Sequence, residues 1–312
     1  MNNNKQTIIL GAGAWGTTLA YLLTQNNHDH YMWSRRSEHS LAEVVTGAQI
    51  IISAVSMKGV KSISQQIRSM DISPETIIVT TTKGLDTQGC QTPSQIWQEA
   101  LPNNPLVVLC GPNLSPEVKA GLPAATVVAS HNNQAAELIQ QVFATETFRV
   151  YVNNDPIGTE LGGTLKNIMA IASGVCDGLE LGTNAKAALL TRALPEIIRV
   201  GCHLGGKVDT FFGLSGLGDL LATCDSSLSR NYQVGEGLAQ GKKLEDILEN
   251  IEGTAEGVNT VNVLIKLAKQ EQIAVPIAYQ VYLLLKGEIT PRKAVESLMA
   301  RELKQEFLEV KG

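Results

Sequence analysis

The sequence lacks a long apolar run, an excess of basic residues and any closely paired cysteines. Its longest apolar stretches, such as Ile50–Val55 and Leu106–Cys110, are far shorter than the roughly 18 residues that span a bilayer. The formal net charge is −5, whereas nucleic acids and anionic membranes attract concentrated Lys and Arg. We therefore expect no membrane span and no nucleic-acid partner.

Cysteine spacing and the N-terminal residues limit the cellular context. The five cysteines form no Cys-x-x-Cys pair, which argues against a zinc site or a disulfide framework. The first residues show no basic region leading into an apolar region and a cleavage site. We expect a cytoplasmic protein without a bound metal.

The first half of the sequence contains a repeated pattern. Short β-branched runs alternate with helical stretches, which is typical of βαβ units and a parallel sheet. The predicted strands are Thr7–Leu10, His30–Trp33, Ile50–Val55, Ile77–Thr81, Leu106–Cys110, Thr126–Ala129 and Phe148–Val152. The clearest predicted helices are Thr17–Gln25, Lys58–Met70 and Ala135–Phe143.

The second half has a different pattern. From about residue 155 the β-branched runs stop, and amphipathic helical stretches separated by Gly, Asn or Pro replace them. The 312 residues are enough for two cores, because a single core stops growing at roughly 250–300 residues. We predict a dinucleotide-binding domain over residues 1–153 and a helical substrate-binding domain over residues 154–312.

A glycine motif joins the first predicted strand to the first predicted helix. Gly11, Gly13 and Gly16 form Gly-x-Gly-x-x-Gly in the order strand, turn and helix. In a doubly wound Rossmann sheet these glycines permit the tight turn, the approach of a diphosphate and close helix packing. The helix N-terminus offers unpaired N–H groups to that diphosphate. The motif predicts a dinucleotide site.

The second predicted strand ends in arginines. NAD-specific sites usually have Asp or Glu there, which binds the ribose 2′-hydroxyl. This chain has Arg35 and Arg36 instead, and guanidinium groups suit the 2′-phosphate of NADPH. We expect NADPH to be preferred and NADH to be accepted. The alternative is two solvated surface arginines.

Polar groups follow two predicted strands and open one predicted helix. Lys83 and residues 110–115 come after strands, where ligands bind in open α/β sheets. Lys166 lies in a stretch otherwise short of charge, so we expect it to be partly buried. A lysine whose pKa is lowered by a second cation can accept the proton of an alcohol that loses hydride. A solvated helix face is the alternative for Lys166.

A further pair of segments carries groups that suit hydroxyls and phosphates. Residues 216–220 contain Asp219, and residues 229–232 contain Ser, Arg and Asn. These side chains could bind a phosphorylated ligand. Capping of a helix is the alternative interpretation.

Together these segments resemble the bacterial NAD(P)-dependent glycerol-3-phosphate dehydrogenases over essentially the whole chain. The resemblance rests, in the family's order, on residues 11–17, 83–85, 111–112, 162–167, 216–220, 229–231 and 256–257. It implies reversible reduction of dihydroxyacetone phosphate to sn-glycerol 3-phosphate, which supplies glycerophospholipid synthesis. It also implies an all-helical second domain like that of 6-phosphogluconate dehydrogenase, and a homodimer.

The resemblance also implies roles for individual residues. Lys166 corresponds to the residue that transfers the proton. The implied substrate contacts are Lys83, Gly111, Asn113, Lys166, Asp219, Ser229, Arg230 and Asn231. The implied cofactor contacts are Gly11, Gly13, Ala14, Trp15, Gly16, Arg35, Arg36, Lys83, Ser115, Arg230 and Glu256.

The chain departs from the family's pattern at two places. Residues 37–47 form a shorter connection than family members usually have between the second and third strands, on the adenine side of the cofactor. Asn113 stands where the family commonly has Thr or Ser, although Asn can still donate a hydrogen bond.

Two other functions stay open at this point. A ketopantoate or β-hydroxyacid-type dehydrogenase shares the cofactor fold and a lysine on the second domain, but its substrates carry a carboxylate. A catalytically silent NADPH-binding sensor would keep the fold without turnover. The segments around Asp219 and Arg230 favour the phosphorylated substrate, and the presence of both Lys83 and Lys166 disfavours the sensor.

Overall fold

The structure is a computed structural model that describes residues 7–251, 253–303 and 305–306. Its first half is a seven-stranded sheet covered by helices on both faces. The strands are β1 (Thr7–Leu10), β2 (His30–Trp33), β3 (Ile50–Ser53), β4 (Ile77–Thr80), β5 (Leu106–Cys110), β6 (Ala124–Ala129) and β7 (Phe148–Asn153). The helices between them are α1 (Ala14–Gln25), α2 (Leu41–Val45), α3 (Met57–Arg68), α4 (Pro93–Ala100), α5 (Ser115–Lys119) and α6 (Asn133–Phe143).

The second half is helical throughout the residues that the structure describes. Its helices are α7 (Pro156–Gly178), α8 (Gly182–His203), α9 (Val208–Phe211), a π-helical turn (Leu214–Gly218), α10 (Asp219–Cys224), α11 (Arg230–Ala239), α12 (Leu244–Asn250), α13 (Glu256–Gln270), α14 (Pro276–Leu285) and α15 (Pro291–Met299). The all-helical expectation is confirmed. No helix in the described ranges is long and apolar enough to cross a membrane.

The sheet has the strand order β2-β1-β3-β4-β5-β6-β7. β1 to β5 are parallel, which confirms the predicted doubly wound arrangement in that part of the sheet. β6 runs antiparallel to β5 because residues 111–123 hold only the short helix α5 instead of a full crossover helix. β7 is parallel to β6.

The predicted strand positions agree with the structure to within two residues. β1, β2 and β5 begin and end where the sequence predicts. β3 and β4 end earlier, at Ser53 and Thr80, while β6 begins earlier and β7 ends one residue later. The residues that follow Ser53 and Thr80 leave the sheet and build loops at its carboxyl edge.

The β-branched runs become central strands because both faces of the sheet are covered. Ile9 and Ile52 pack with buried residues of α1 and α6, and the alternate residues Ile8 and Ile51 pack with those of α3 and α4. A parallel sheet buried on both faces needs such continuous apolar runs instead of an alternating pattern.

The long helix α7 is the centre of the second half. It is buried on almost every side, so its sequence is apolar around the whole circumference. It meets α11 at glycines: a Cβ added to Gly174 would lie 2.0 Å from the Tyr232 carbonyl oxygen, and one added to Gly235 would lie 1.9 Å from the Ile171 carbonyl oxygen. Only residues without a Cβ permit this approach.

The predicted domain division falls between the last strand and this helix. β7 ends at Asn153 and α7 begins at Pro156, so the predicted boundary between residues 153 and 154 coincides with the end of the strand. The outer ends of the two predicted domains, residues 1–6 and 307–312, lie outside the described residues.

A buried carboxylate connects the two halves. Glu160 on α7 is 1% exposed and accepts hydrogen bonds from the Ser94 backbone N at 2.9 Å and from Ser94 Oγ at 2.5 Å. Ser94 lies in the first turn of α4, where a carboxylate interacts favourably with the helix dipole. Burial nevertheless raises the pKa of Glu160 to about 7, against the opposing effect of the bonds from Ser94.

We predict that Glu160 makes the free energy of unfolding fall as pH rises from about 4.5 to about 7. A carboxyl whose pKa is raised on folding stabilises the native state most below its unfolded pKa, and this contribution is lost as pH rises through the folded pKa. Urea unfolding of the wild type and Glu160→Gln should show the difference across this range, of order 2 kcal/mol. Equal pH slopes for the two proteins would contradict the prediction.

Candidate active site

The glycine motif forms an open, backbone-lined turn between β1 and α1. Gly11 has φ +115°, and a Cβ there would lie 2.7 Å from the Ala54 carbonyl oxygen. A Cβ on Gly16 would lie 1.9 Å from the Gly11 carbonyl oxygen, whereas no atom of the described residues lies within 4 Å of a Cβ position on Gly13. α1 has no acidic residue in its first turn. The turn therefore fits an anionic diphosphate over Gly13 at the helix N-terminus.

α1 begins three residues earlier than predicted, at Ala14. Ala14 and Trp15 therefore lie in its first turn, where backbone N–H groups have no partner within the helix. Both residues thus lie between Gly13 and Gly16 of the glycine motif, at the N-terminus of α1.

The predicted arginines lie beside this turn. Gly11 N donates to the Trp33 carbonyl oxygen at 2.8 Å, which places the end of β2 next to the glycines. Arg35 and Arg36 follow directly and are exposed. The short connection after them holds only the single-turn helix α2, capped by reciprocal bonds between Ser40 and Glu43.

Two lysines from opposite halves of the protein share one carboxylate. Lys83, in the loop after β4, contacts Asp219 Oδ2 at 2.5 Å through Nζ. Lys166, on α7, contacts Asp219 Oδ1 at 2.9 Å through Nζ. Lys83 Nζ also lies 3.5 Å from the Gly111 carbonyl oxygen. The structure thus brings together four of the predicted substrate residues.

Burial and charge give the two lysines different proton affinities. Lys166 is 6% exposed, and burial, assisted by the like charge of Lys83, lowers its pKa although Asp219 opposes the shift. Burial also acts to lower the pKa of Lys83, but Asp219 outweighs it and the net shift is upward. Asp219 itself has a lowered pKa, because the two ammonium groups outweigh its burial. The cluster therefore contains one persistent cation and one lysine that loses its proton more readily.

Two members of this cluster had no individual role assigned from the sequence, although Cys110 lies in the predicted segment 110–115. Thr223 Oγ1 accepts a hydrogen bond from Lys166 and donates one to Asp219 Oδ1 at 3.1 Å. Cys110 Sγ lies 3.9 Å from Asp219 Oδ2, and burial raises the pKa of its thiol to about 11. Thr223 lies four residues after Asp219 on α10, so helical spacing was a signal that could have identified it.

The predicted residues after α10 lie at the start of α11. Ser229 caps this helix by accepting from Tyr232 N, so the capping alternative holds for Ser229. Arg230 Nη1 donates to the Thr254 carbonyl oxygen at 3.1 Å, and Asn231 Oδ1 accepts from Gly257 N at 3.0 Å. These bonds tie the start of α11 to the start of α13.

The remaining predicted residues lie at the starts of α13 and α5 and in the loop after β5. Glu256 opens α13, and its Oε1 accepts from Met57 N of α3 at 3.3 Å, a contact between the two halves. Ser115 opens α5. Asn113 Nδ2 donates to the Ala125 carbonyl oxygen, while its buried Oδ1 has no hydrogen-bond partner in the described part of the chain.

The structure does not place all the predicted residues together. β2, which the arginines follow, is three strands from β4 in the sheet, and neighbouring strands lie about 4.8 Å apart, so these two strands are about 14 Å apart. This separation suits a dinucleotide that extends along the carboxyl edge of the sheet. The fold and the site together define a dinucleotide-binding oxidoreductase with a buried lysine, Lys166, and a partly exposed lysine, Lys83, on one buried carboxylate.

Comparison with known proteins identifies the family. Models of the NAD-dependent glycerol-3-phosphate dehydrogenase N-terminus and C-terminus match residues 6–42 and 36–136, and residues 155–296, respectively. The chain belongs to this family and is an oxidoreductase.

Curated relatives and a solved structure agree with this assignment. The chain is 65% identical to glycerol-3-phosphate dehydrogenase [NAD(P)+] of Synechocystis sp., over 97% of this chain and 95% of the relative. It is 60% identical to the protein of the same name from Acaryochloris marina, over 96% of each chain. The crystal structure of glycerol-3-phosphate dehydrogenase from Coxiella burnetii superposes with a TM-score of 0.91 at 34% identity, covering 96% of this chain and all of that one.

Proposed function

We propose that this protein catalyses the reversible NAD(P)-dependent reduction of dihydroxyacetone phosphate to sn-glycerol 3-phosphate and so supplies glycerophospholipid synthesis. The observation that carries the proposal is the Lys83–Asp219–Lys166 cluster at the carboxyl edge of a sheet whose glycine turn fits a dinucleotide. The names of the curated relatives support the same reaction.

The two lysines have distinct proposed roles. In the oxidation of glycerol 3-phosphate, Lys166 accepts the hydroxyl proton, because burial and the charge of Lys83 lower its pKa and so favour the neutral amine relative to an ordinary lysine. In the reduction, Lys166 returns that proton to the carbonyl oxygen. Lys83 stays protonated and contributes positive charge beside this oxygen, which stabilises the negative charge that develops there.

Asp219 and Thr223 orient the amine of Lys166 in this scheme. Each accepts a hydrogen bond from Lys166 Nζ, so two of its three N–H positions are fixed in the charged state. The third N–H position is the one that exchanges a proton with the substrate, and its loss leaves the bonds to Asp219 and Thr223 in place. The phosphate of the substrate is assigned to Arg230 and Asn231, with Ser229 and Gly111 as further contacts, since charge-assisted bonds hold phosphate strongly.

The cofactor residues fit a nicotinamide dinucleotide, which supplies or accepts the hydride when bound. We assign its diphosphate to the turn formed by Gly11, Gly13, Ala14, Trp15 and Gly16. We assign its adenosine 2′-phosphate to Arg35 and Arg36, and its nicotinamide side to Lys83, Ser115, Arg230 and Glu256. Asn113, with its unpartnered Oδ1, is assigned to the substrate.

We also propose the organisation of the protein in the cell. Residues 1–153 form the dinucleotide-binding domain and residues 154–312 form the substrate-binding and catalytic domain. The ligand partner is a phosphorylated three-carbon molecule, the protein works in the cytoplasm, and it assembles as a homodimer.

The reaction is tested by the absorbance of NADPH at 340 nm. We predict oxidation with dihydroxyacetone phosphate and none with ketopantoate. Lys166→Met should lower kcat by about 10²–10⁴-fold, the usual contribution of a positioned acid or base. NADPH affinity, measured by its fluorescence, should stay within about twofold of the wild type because Lys166 is assigned to proton transfer.

The control is Lys61→Met, which removes an exposed lysine of α3 that has no assigned role in the site and should leave kcat unchanged. Oxidation with ketopantoate alone would favour the carboxylate-substrate alternative. NADPH binding without turnover of either substrate would favour the sensor. Unchanged turnover in Lys166→Met would refute the assigned proton transfer.

The arginines are tested by comparing the two cofactors. Arg35→Ala and Arg36→Ala should each raise the Kd of NADPH by about tenfold, because each removes a charged hydrogen-bond donor from the 2′-phosphate. The Kd of NADH should stay within about twofold, since NADH has no 2′-phosphate. Isothermal titration calorimetry measures both constants. Equal losses for NADPH and NADH would rule out recognition of the 2′-phosphate.

A further inference from the structure

The loop that carries Lys83 is fixed to the sheet on its N-terminal side. Thr81 donates to the Ser53 carbonyl oxygen through both its backbone N and its Oγ1, each at 3.0 Å. Thr82 Oγ1 donates to the Val55 carbonyl oxygen at 2.8 Å. These bonds hold the chain up to the residue before Lys83 in the first half of the protein.

The residue after Lys83 is bonded instead to the second half. Gly84 N donates to Thr164 Oγ1 at 3.0 Å, and both atoms are buried. Gly84 has φ +148°, and a Cβ there would lie 3.1 Å from the Met57 side chain, so the chain makes a close turn immediately after Lys83. Thr164 is fully buried on α7.

Thr164 therefore connects the two lysines of the site. It lies on α7 two residues before Lys166, and it bonds the backbone directly after Lys83. Lys83 and Lys166 in turn occupy the two oxygens of Asp219. A single hydroxyl group thus links the loop position of Lys83 to the helix that carries Lys166.

We propose that Thr164 is a positioning residue for the reaction: its hydroxyl, by accepting the Gly84 N–H, holds Lys83 against Asp219. The inference rests on the proposed function, in which Lys166 exchanges a proton with the substrate.

This position of Lys83 affects the proton affinity of Lys166. The charged and titratable groups that face Lys166 are Asp219 from α10, Lys83 from its loop and Cys110 from the end of β5. α10 also contributes the Thr223 hydroxyl and the Cys224 thiol. If Lys83 moves away, Lys166 no longer has a like charge nearby. The Asp219 carboxylate then interacts with Lys166 alone and attracts its ammonium group more strongly. Both changes raise the pKa of Lys166.

The experiment measures kcat/KM for glycerol 3-phosphate oxidation as a function of pH. Thr164→Val keeps the shape of the side chain but removes the acceptor, leaving the buried Gly84 N–H without a partner. We expect the acid limb of the profile to move up by about one pH unit, and kcat at neutral pH to fall by about tenfold. Thr164→Ser keeps the acceptor and should restore both values to within about twofold.

Thr159→Val is the matched control. Thr159 is a fully buried threonine on the same helix, and its Oγ1 has no hydrogen-bond partner in the described ranges. The same chemical change there should leave the acid limb in place. If Thr164→Val does not fold, Thr164→Ala removes the same acceptor and takes its place with the same readouts.

Three results would overturn the positioning role: an unmoved acid limb in the folded Thr164 variant, an equal shift in Thr159→Val, or a Thr164→Ser profile that matches Thr164→Val. A wild-type protein that does not oxidise glycerol 3-phosphate would instead refute the proposed function. The two failures are therefore distinguishable.

Discussion

The structure of the site depends on one buried carboxylate between two ammonium groups. Asp219 is 2% exposed and binds Lys83 from one half of the protein and Lys166 from the other. Without it the two ammonium groups would repel each other, and the buried charge of Lys166 would be unpaired at a cost of several kcal/mol. The cluster carries a net single positive charge when both lysines are protonated. Loss of one proton makes it neutral, and this is the change that the proposed reaction requires of Lys166.

The backbone around Asp219 and the two lysines is closely packed. A Cβ on Gly162 would lie 2.7 Å from the Ser215 carbonyl oxygen, and one on Gly163 would lie 2.2 Å from Cys110 Sγ, so α7 can approach the site only with glycine at both positions. A π-helical turn directly precedes Asp219, and such turns occur frequently at functional sites. The two halves are also joined by hydrogen bonds that involve Glu160, Glu256 and Thr164.

Much of the fold could be predicted from the sequence, because the spacing of apolar residues and the positions of glycines depend on neighbouring residues in the chain alone. The strands and the glycine turn were predictable for this reason, and so was the change to helices near residue 155. The direction of β6 was not, since it depends on how residues 111–123 cross the sheet edge. Within the site, Lys166 stood out by its apolar surroundings. Thr223 carried a usable signal in its spacing of four residues from Asp219. The Gly84–Thr164 bond carried none, because it depends on how the Lys83 loop packs against α7.

The most direct test of this account is to measure the protonation of the two lysines separately. Heteronuclear NMR of protein labelled with ¹⁵N at lysine Nζ, with Lys83→Arg and Lys166→Arg used to assign the signals, reports each ammonium group during a pH titration. The account predicts that Lys166 loses its proton below the ordinary lysine pKa of 10.5 and that Lys83 stays protonated above it. The reverse order, or two unshifted lysines, would contradict the assignment of Lys166 as the proton-transferring group.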